Sequence, residues 1–178
     1  MVAVDQSGAG ETNAMTSIDN VIDALANFIQ PLVGGAQIVR AQVNRVPMPI
    51  DSCIVLTELL EVDIDVPYQT YDDTNQQTSI IGPTRIDVQI DFYGATAGDQ
   101  CKAVKQAFRS TYGFDAFPAE VKPLYTSDGI QSPLITGEEQ YESRWTLTAS
   151  MQYNPVVTLS QQSANATSIN ILEAADLL

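Results

Sequence analysis

The chain has 178 residues, 44% of them hydrophobic and 17% charged, which fits one globular domain and excludes wholesale disorder. Asp and Glu outnumber Lys and Arg by 22 to 8, so the formal charge is -14 and binding to nucleic acid by phosphate neutralisation is disfavoured. No apolar stretch approaches the roughly 20 residues of a membrane span, and the N-terminus lacks a basic segment followed by an apolar one, so we expect no membrane association.

The N-terminal part predicts a flexible arm followed by an amphipathic helix. Residues 1–14 are small and polar without any period, and we assign them to the arm. From Ile18 to Ile29, apolar residues recur at spacings of three and four, which is the period of a helix with one buried face. Thr16 or Ser17 can cap the start of this helix.

Two long strands are predicted in the middle of the chain. A short strand over residues 36–43 precedes a long strand, either regular or bulged, over residues 52–66. Its outer half alternates apolar and acidic residues and should have one solvated face. Residues 67–83 have a loop composition that is also compatible with a protruding hairpin. The next strand, from Arg85 to Phe92, alternates strictly between apolar and polar residues.

The second helix is predicted from about Thr96 to Ser110, with Thr96 as its cap and Asp99 completing a weak capping box. Its buried stripe includes Cys101, and we expect this thiol and that of Cys53 to lie free in the core.

The last third predicts a turn, two strands and a tail. Residues 112–118 are assigned to a turn, residues 121–125 to a short strand, and residues 141–153 to a strand with one buried face. The sum is one α+β domain over residues 15–159, a mostly antiparallel sheet packed by two amphipathic helices. Residues 160–178 are assigned to a linker and an apolar tail that packs on its own domain or on a neighbour.

Residue types for catalysis and metal binding are scarce. The chain has no histidine, which removes the commonest general base and metal ligand, and its two cysteines are too few for a thiolate zinc site. No nucleophile elbow, phosphate-binding loop or dinucleotide motif occurs. We therefore expect no enzyme, no cofactor, no catalytic residues and no metal site.

Carboxylates on two strands are the candidates for an exception. Asp63 with Asp65, or Asp87 with Asp91, could pair for glycoside hydrolysis, which would make the chain a carboxylate-dependent hydrolase of cell-wall glycan. The simpler interpretation, which we favour, is that these charges lie on the solvated face of an alternating strand.

Lys102, Lys105 and Arg109 form one basic stripe on the second helix of an otherwise acidic protein. The stripe is either a solvated face near the helix C-terminus, where the dipole favours cations, or a docking strip for an acidic neighbouring subunit. The sequence leaves both interpretations open.

From about residue 40 to residue 157 the chain resembles the phage neck terminator protein family of long-tailed phages. Three segments carry this resemblance, and their most distinctive residues are Arg45, Pro47 and Pro49, then Phe92, Tyr93 and Gly94, and finally Glu142 and Arg144. Each segment also has a purely structural explanation. A proline pair stiffens a connection, a Tyr-Gly pair ends a strand, and the last two residues form an exposed same-face pair that contributes little energy.

The resemblance implies a structural virion protein that forms a homo-hexameric ring on the head-proximal end of the tail tube. Such a ring ends tube growth, contacts the tail tube protein and a neck or connector protein, and in contractile phages also holds the sheath. DNA would pass through its lumen without specific binding, and the ring would assemble in the host cytoplasm before becoming part of the tail or neck.

Strong acidity suits a channel to which DNA does not adhere. We expect some of the alternating carboxylates to face the lumen or a subunit boundary; the candidates are Glu61, Asp63, Asp65, Asp87 and Asp91. The nearest alternative is another neck or tail subunit, either a connector adaptor or a tube protein.

Overall fold

The computed structural model describes residues 17–41, 52–132, 134–135 and 141–161. The expected N-terminal arm and all but the first two residues of the expected linker and tail lie outside these residues.

Within the described residues, one helix and a 3-10 turn precede five strands, two helices and six further strands. The helices are α1 (Ile18–Ile29), α2 (Ala97–Phe108) and α3 (Thr111–Ala116), and a 3-10 turn (Gln30–Leu32) follows α1. The strands are β1 (Gln37–Arg40), β2 (Cys53–Asp63), β3 (Tyr68–Asp72), β4 (Gln77–Ile81), β5 (Thr84–Tyr93), β6 (Val121–Thr126), β7 (Ile130–Gln131), β8 (Leu134–Ile135), β9 (Tyr141–Glu142), β10 (Arg144–Tyr153) and β11 (Val156–Ser160).

Six of these strands form the main sheet, in the order β1-β2-β5-β10-β6, with β7 also paired to β10. Only β1 and β2 run parallel, and the other pairs in this sheet are antiparallel. Side chains of α1 and α2 pack on one face of the sheet. The chain is therefore a single α+β domain, as the sequence predicts.

The core lies between this face and the two long helices. Its largest fully buried side chains come from both layers: Leu25 and Ile29, Val104, Ile54 and Leu56, Ile86, Ile90 and Phe92, and Leu147 and Met151. Both cysteines are buried and neither forms a disulfide, as predicted, and burial raises the pKa of the Cys101 thiol. No helix among the described residues is long and apolar enough to cross a membrane.

The two long helices occur where their periodicity predicts them, but they begin differently. The Ser17 side chain accepts a hydrogen bond from the Asn20 amide at the start of α1, as a capping serine should. Thr96 occupies the cap position of α2 without a side-chain capping bond. Its ψ of 6° is far from the extended conformation of a typical cap, so the predicted capping box is wrong.

The predicted turn over residues 112–118 is largely a helix, α3. A Cβ on Gly113 would lie 2.6 Å from the carbonyl oxygen of Phe108, so this glycine permits a close approach between α3 and the end of α2. Phe117 follows α3 and stacks on Phe28 of α1, with ring centroids 5.0 Å apart. Phe117 therefore holds the end of α3 against the core, in a segment that the sequence predicts to be a turn.

The sequence leaves open a regular or a bulged strand here, and β2 is bulged, because the register against β5 shifts between Glu58 and Leu60. The prediction of one solvated face beyond the bulge is wrong. Leu60 and Val62 are 52% and 38% exposed, and the carboxylates between and after them are exposed as well. Among the described residues, neither long helix packs over the outer half of β2, and both of its faces are exposed.

Three strands of the main sheet continue beyond it into a second sheet. β2 leads into β3, β4 leads into β5, and β10 leads into β11, and the second sheet keeps the corresponding order β3-β4-β11. A proline stands at each break (Pro67, Pro83 and Pro155), where its missing amide and fixed φ interrupt regular pairing. We call β3, β4 and β11 the projecting sheet, and the hairpin interpretation of residues 67–83 is the correct one.

Candidate functional site

The second face of the main sheet carries a polar ladder. Asp91, in β5, is only 4% exposed. Its carboxylate accepts hydrogen bonds from Arg144 at 2.9 and 3.2 Å, from the Thr146 hydroxyl at 2.6 Å and from the Gln89 amide at 2.8 Å. The expectation that this charge faces solvent is wrong, because partners on β5 and the neighbouring β10 surround the carboxylate.

Asp87 continues the ladder toward the other end of β5. It accepts a hydrogen bond from the Ser150 hydroxyl at 2.5 Å and lies 3.3 Å from the Arg85 guanidinium. Both Asp87 and Asp91 thus bind polar groups of β10, 63 and 53 residues away in sequence. A glycosidase needs carboxyls that are free to exchange a proton or attack a sugar, whereas both oxygens of Asp91 are engaged. The arrangement favours a role in joining two strands.

Arg144 is a family-motif residue that the sequence predicts to be exposed in a pair with Glu142, and this prediction is wrong. It does not form an exposed pair but binds Asp91 in bidentate fashion, and its side chain is 28% exposed. The hydrogen bond to Asp91 raises the pKa of Arg144, and its guanidinium carbon lies 5.7 Å from the Tyr93 ring centroid. The side chain of Glu142 lies outside the described part of the structure.

The motif at the end of β5 ends the strand as predicted. Phe92 is fully buried in the core, and Gly94 adopts a φ of +103°, a conformation that favours glycine. The Ser52 hydroxyl donates to the Tyr93 carbonyl at 3.1 Å and holds the turn beside the start of β2. The remaining motif residues, Arg45, Pro47 and Pro49, lie outside the described residues.

The outer carboxylates Glu61, Asp63 and Asp65 are exposed near the base of the projecting sheet. Glu61 accepts a hydrogen bond from the Tyr153 hydroxyl at the end of β10. Burial and, to a lesser extent, the Glu61 carboxylate raise the pKa of Tyr153. This bond therefore fixes the place where β2 and β10 leave the main sheet.

In the described part of the chain, the projecting sheet has one largely apolar face on which no helix packs. Tyr71 of β3 and Leu159 of β11 both pair with Thr78 of the central strand β4, and Ile80 of β4 pairs with Val157 of β11. Tyr71, Val157 and Leu159 are 44%, 50% and 51% exposed. The sequence does not indicate this surface, because the alternation of apolar and polar residues within each strand is too short to distinguish the strand from a polar loop.

The basic stripe on α2 is partly neutralised within the subunit. Lys105 binds Asp128 at 2.6 Å, and this contact lowers the pKa of Asp128. Arg109 donates to the carbonyl and hydroxyl oxygens of Thr126 at 2.5 and 2.9 Å. Lys102 is exposed on the same helix. Docking of the stripe on an acidic neighbour stays a prediction.

Beside this stripe lies a second exposed apolar surface that the sequence did not indicate. Phe114 on α3 and Leu124 and Tyr125 on β6 are 57%, 44% and 51% exposed. Lys122 of β6 lies 4.7 Å from the centroid of the Phe114 ring, which joins α3 to this edge of the main sheet.

Small-molecule and metal sites are not evident in the described part of the chain. No group of three or more Cys, Asp or Glu side chains there is placed to hold a metal ion. An open cleft of about 580 Å³ lies between α1 and the α3 region, with Asn20, Asp23, Asn27 and Asp115 among its lining residues. Its carboxylates are exposed to solvent, as expected of charges on a surface.

Residues 19–175 match a protein family described as phage neck terminator protein. The match begins earlier and ends later than the resemblance seen in the sequence, since it includes α1 and most of the C-terminal segment. No curated protein matches the sequence.

A cryo-EM structure of the sheath/tube terminator of an extracellular contractile injection system, named PVC and captured in the extended state, has a similar fold. The TM-score is 0.61 at 12% sequence identity, and the alignment covers 92% of this chain but 66% of that one. At this identity the likeness shows the shared fold alone.

Proposed function

The chain belongs to the phage neck terminator family, and on this premise we propose that it forms a closed ring on the head-proximal end of a phage tail tube. A neck terminator is a structural component of the tail or neck. The match over residues 19–175 carries the proposal, since it extends from the first helix to the C-terminal segment.

The ring we propose is a homo-hexamer built from head-to-tail contacts. Two different surfaces on each subunit suit such contacts, because a heterologous interface repeated by a closing rotation gives a ring. The projecting sheet and the exposed apolar side chains of α3 and β6 are two candidates for such surfaces.

The lumen of the ring passes DNA without binding it. A formal charge of -14 supports this role, because a negatively lined channel repels phosphates. Of the five candidate carboxylates, Glu61, Asp63 and Asp65 are exposed and available for the lumen or a subunit boundary. Asp87 and Asp91 serve first to join β5 to β10.

The ring contacts the tail tube protein on one side and a neck or connector protein on the other, and it assembles in the host cytoplasm. Contact with a sheath is part of the proposal for a contractile tail, and the name of the sheath/tube terminator with a similar fold supports it. The proposal includes no catalytic activity.

Particles assembled without this chain test the proposal. We expect tails that vary in length and fail to join heads, because nothing stops tube growth or presents a surface to the neck. Electron microscopy of such lysates measures tail length and head attachment. Tails of normal length joined to heads would contradict the proposal.

Electron microscopy of the purified protein separates a terminator from its nearest alternatives. A terminator should form closed rings of one diameter with a central opening, whereas a tube protein should stack into long tubes. Long tubes of the purified chain would favour the tube-protein alternative.

A further inference from the structure

The two outer strands of the projecting sheet each have one side that pairs with no other strand of the described structure. β4 lies between β3 and β11, so the far sides of β3 and β11 are open edges. Such an edge exposes a row of backbone N–H and C=O groups, to which another strand can be added. Both strands have five residues, and all of these except Val156 are exposed.

β11 lacks the features that usually protect an open edge. Natural sheets protect their edges with charged side chains, prolines, bulges or short strands, because other chains pair with an unprotected edge. In the main sheet, β6 contains Lys122 and Pro123 and has a register shift against β10, and β1 has four residues and ends in Arg40. β11 contains neither charge nor proline. Its edge is therefore suited to pairing with a further strand.

Two backbone hydrogen bonds at the ends of β11 show which of its groups point outward. Gly82 donates to the Pro155 carbonyl at 3.2 Å, and Gln161 donates to the Gln76 carbonyl at 2.8 Å. Because successive residues of a strand point their backbone groups to opposite sides, the odd-numbered residues of β11 bond to β4. The even-numbered residues point to the open edge: Val156, Thr158 and Ser160.

The same reasoning gives the outward groups of β3. The even-numbered residues of β4 pair with the odd-numbered residues of β11, so the odd-numbered residues of β4 point toward β3. They pair with the even-numbered residues of β3. Gln69 and Tyr71 therefore point their backbone groups to the open edge of β3.

These two edges fit each other when a second copy continues the sheet. β3 and β11 run in the same direction, because each is antiparallel to β4, so β3 of the second copy would lie parallel to β11. With the register of the subunit repeated, Gln69 lies opposite Val157 and Tyr71 lies opposite Leu159. In a parallel pair a residue bonds to the two neighbours of the residue opposite it. Here those neighbours are the even-numbered residues of β11, whose groups point outward.

Side chains and charge also favour this pair over the alternatives. It places Tyr71 beside Leu159 and Thr70 beside Thr158, which are kinds of neighbour that stabilise paired strands. Pairing of two β3 strands would bring two acidic regions together, since residues 59–83 carry five carboxylates and no Lys or Arg. Pairing of two β11 strands would leave both β3 edges open. Only the pair of β11 with β3 uses both edges of every copy.

We propose that β11 of one copy pairs with β3 of the next copy, so that the projecting sheets join into one closed belt of strands. This inference rests on the proposed ring and deepens it by naming the two strands that meet. The contact is heterologous and can be repeated from copy to copy. Closure of the ring then removes every open edge of the projecting sheets.

A proline in β11 tests the backbone pairing. Thr158→Pro removes one outward N–H group and leaves the bonds between β11 and β4 in place, and prolines are tolerated at such edge positions. Thr158→Ala is the matched control, because it removes the same side chain but keeps the N–H group. We expect the proline variant to self-associate at least about tenfold more weakly than the alanine variant. Analytical ultracentrifugation over a dilution series measures association, and circular dichroism checks folding.

Cysteines at two exposed threonines test which strands meet. Thr70 and Thr158 both pair with Ser79, so within one subunit they lie two strand spacings apart, about 10 Å, which is too far for a disulfide. Between copies they would be neighbours about 5 Å apart. Oxidation of the variant with both Thr70→Cys and Thr158→Cys should therefore give a ladder of linked multimers on non-reducing electrophoresis. Each single variant is a control and should stay unlinked.

Each outcome decides the inference. Weaker association of Thr158→Pro, with multimers from the double cysteine variant alone, supports it. Dimers from Thr158→Cys alone or from Thr70→Cys alone would show that like strands pair, and either result overturns it. Rings that persist with Thr158→Pro, or a double variant that assembles without linking, overturn the inference but leave the proposed ring standing. If Thr158→Pro fails to fold, the cysteine variants decide. A wild-type chain that stays monomeric also overturns the inference, while tail length without the chain tests termination separately.

Discussion

The projecting sheet continues three of the six strands of the main sheet, but the two sheets differ in what covers them. In the main sheet, Ile86, Val88, Ile90 and Phe92 of β5 are at most 1% exposed under α1 and α2. In the projecting sheet, large apolar side chains of β3 and β11 are about half exposed, because no helix among the described residues packs on them.

The difference shows that alternation determines where apolar side chains point, whereas the covering layer determines how much they stabilise the fold. Burial of a large apolar side chain contributes roughly 1.5–3 kcal/mol, and an exposed one contributes little. The buried side chains of the main sheet therefore stabilise the subunit, whereas the half-exposed side chains of the projecting sheet contribute little to its stability.

The largest expected effect comes from a cavity in the main sheet. Phe92→Ala should lower the free energy of unfolding by about 3–5 kcal/mol, because the side chain is fully buried between strands and helices. The matched change in the projecting sheet, Leu159→Ala, should cost at most about 0.5 kcal/mol in the monomer. Urea unfolding at low protein concentration measures both. Equal losses would remove the contrast between the two sheets.

The polar face of the main sheet should show the next largest effect. Arg144→Met leaves the buried Asp91 carboxylate without its cation, and we expect a loss of roughly 2–3 kcal/mol. Adding Asp91→Leu should recover part of the loss, because it removes the unpaired charge. Arg40→Met is the control, since Arg40 pairs with Asp19 and Glu58 nearer the surface and should cost less than about 1 kcal/mol. A double variant less stable than Arg144→Met would contradict this account.

The sequence predicts features that depend on neighbouring residues of the chain, and it does not predict features that depend on residues far apart in the chain. The helix from Ile18 to Ile29 and strand β5 are predicted because their periodic patterns run over ten or more residues. The burial of Asp91 is not predicted, because its cation is 53 residues away on β10. Without knowledge of this distant partner, a carboxylate that alternates with apolar residues along a strand is expected to face solvent.

The projecting sheet and α3 were harder to predict for different reasons. Strands β3 and β4 are five residues each and rich in Gln, Thr and Asp, and β4 also pairs with β11, about 80 residues later in the chain. Helix α3 contains Gly113, which normally indicates a turn. For the candidate site, the sequence indicated the acidic strand end and the basic stripe but not the apolar surfaces beside them.

Substitution by alanine should affect stability differently at two glycines, one in α3 and one beside the projecting sheet. Gly113→Ala should destabilise the protein by roughly 1–3 kcal/mol, because the new Cβ would lie 2.6 Å from the Phe108 carbonyl oxygen and the backbone must shift. Gly82→Ala, at the junction with the projecting sheet, should have little effect, since the nearest atom is 4.0 Å away. Thermal unfolding of both variants measures the difference. A stable Gly113→Ala variant would mean that α3 can move away from α2 at low cost.

The smallest effect is expected at the junction itself, where Tyr153 donates to Glu61. Tyr153→Phe should cost about 0.5–1.5 kcal/mol, the usual net value of one hydrogen bond, whereas Tyr71→Phe on the exposed face of the projecting sheet should cost less. Because the pKa of Tyr153 is raised in the folded state, the unfolded chain loses this proton first as the pH rises above about 10. Its contribution to stability is therefore complete below that pH and declines above it. Urea unfolding between pH 8 and about pH 11 should show a steeper loss for the wild type than for Tyr153→Phe. Parallel losses would mean that the main sheet holds the junction without this bond.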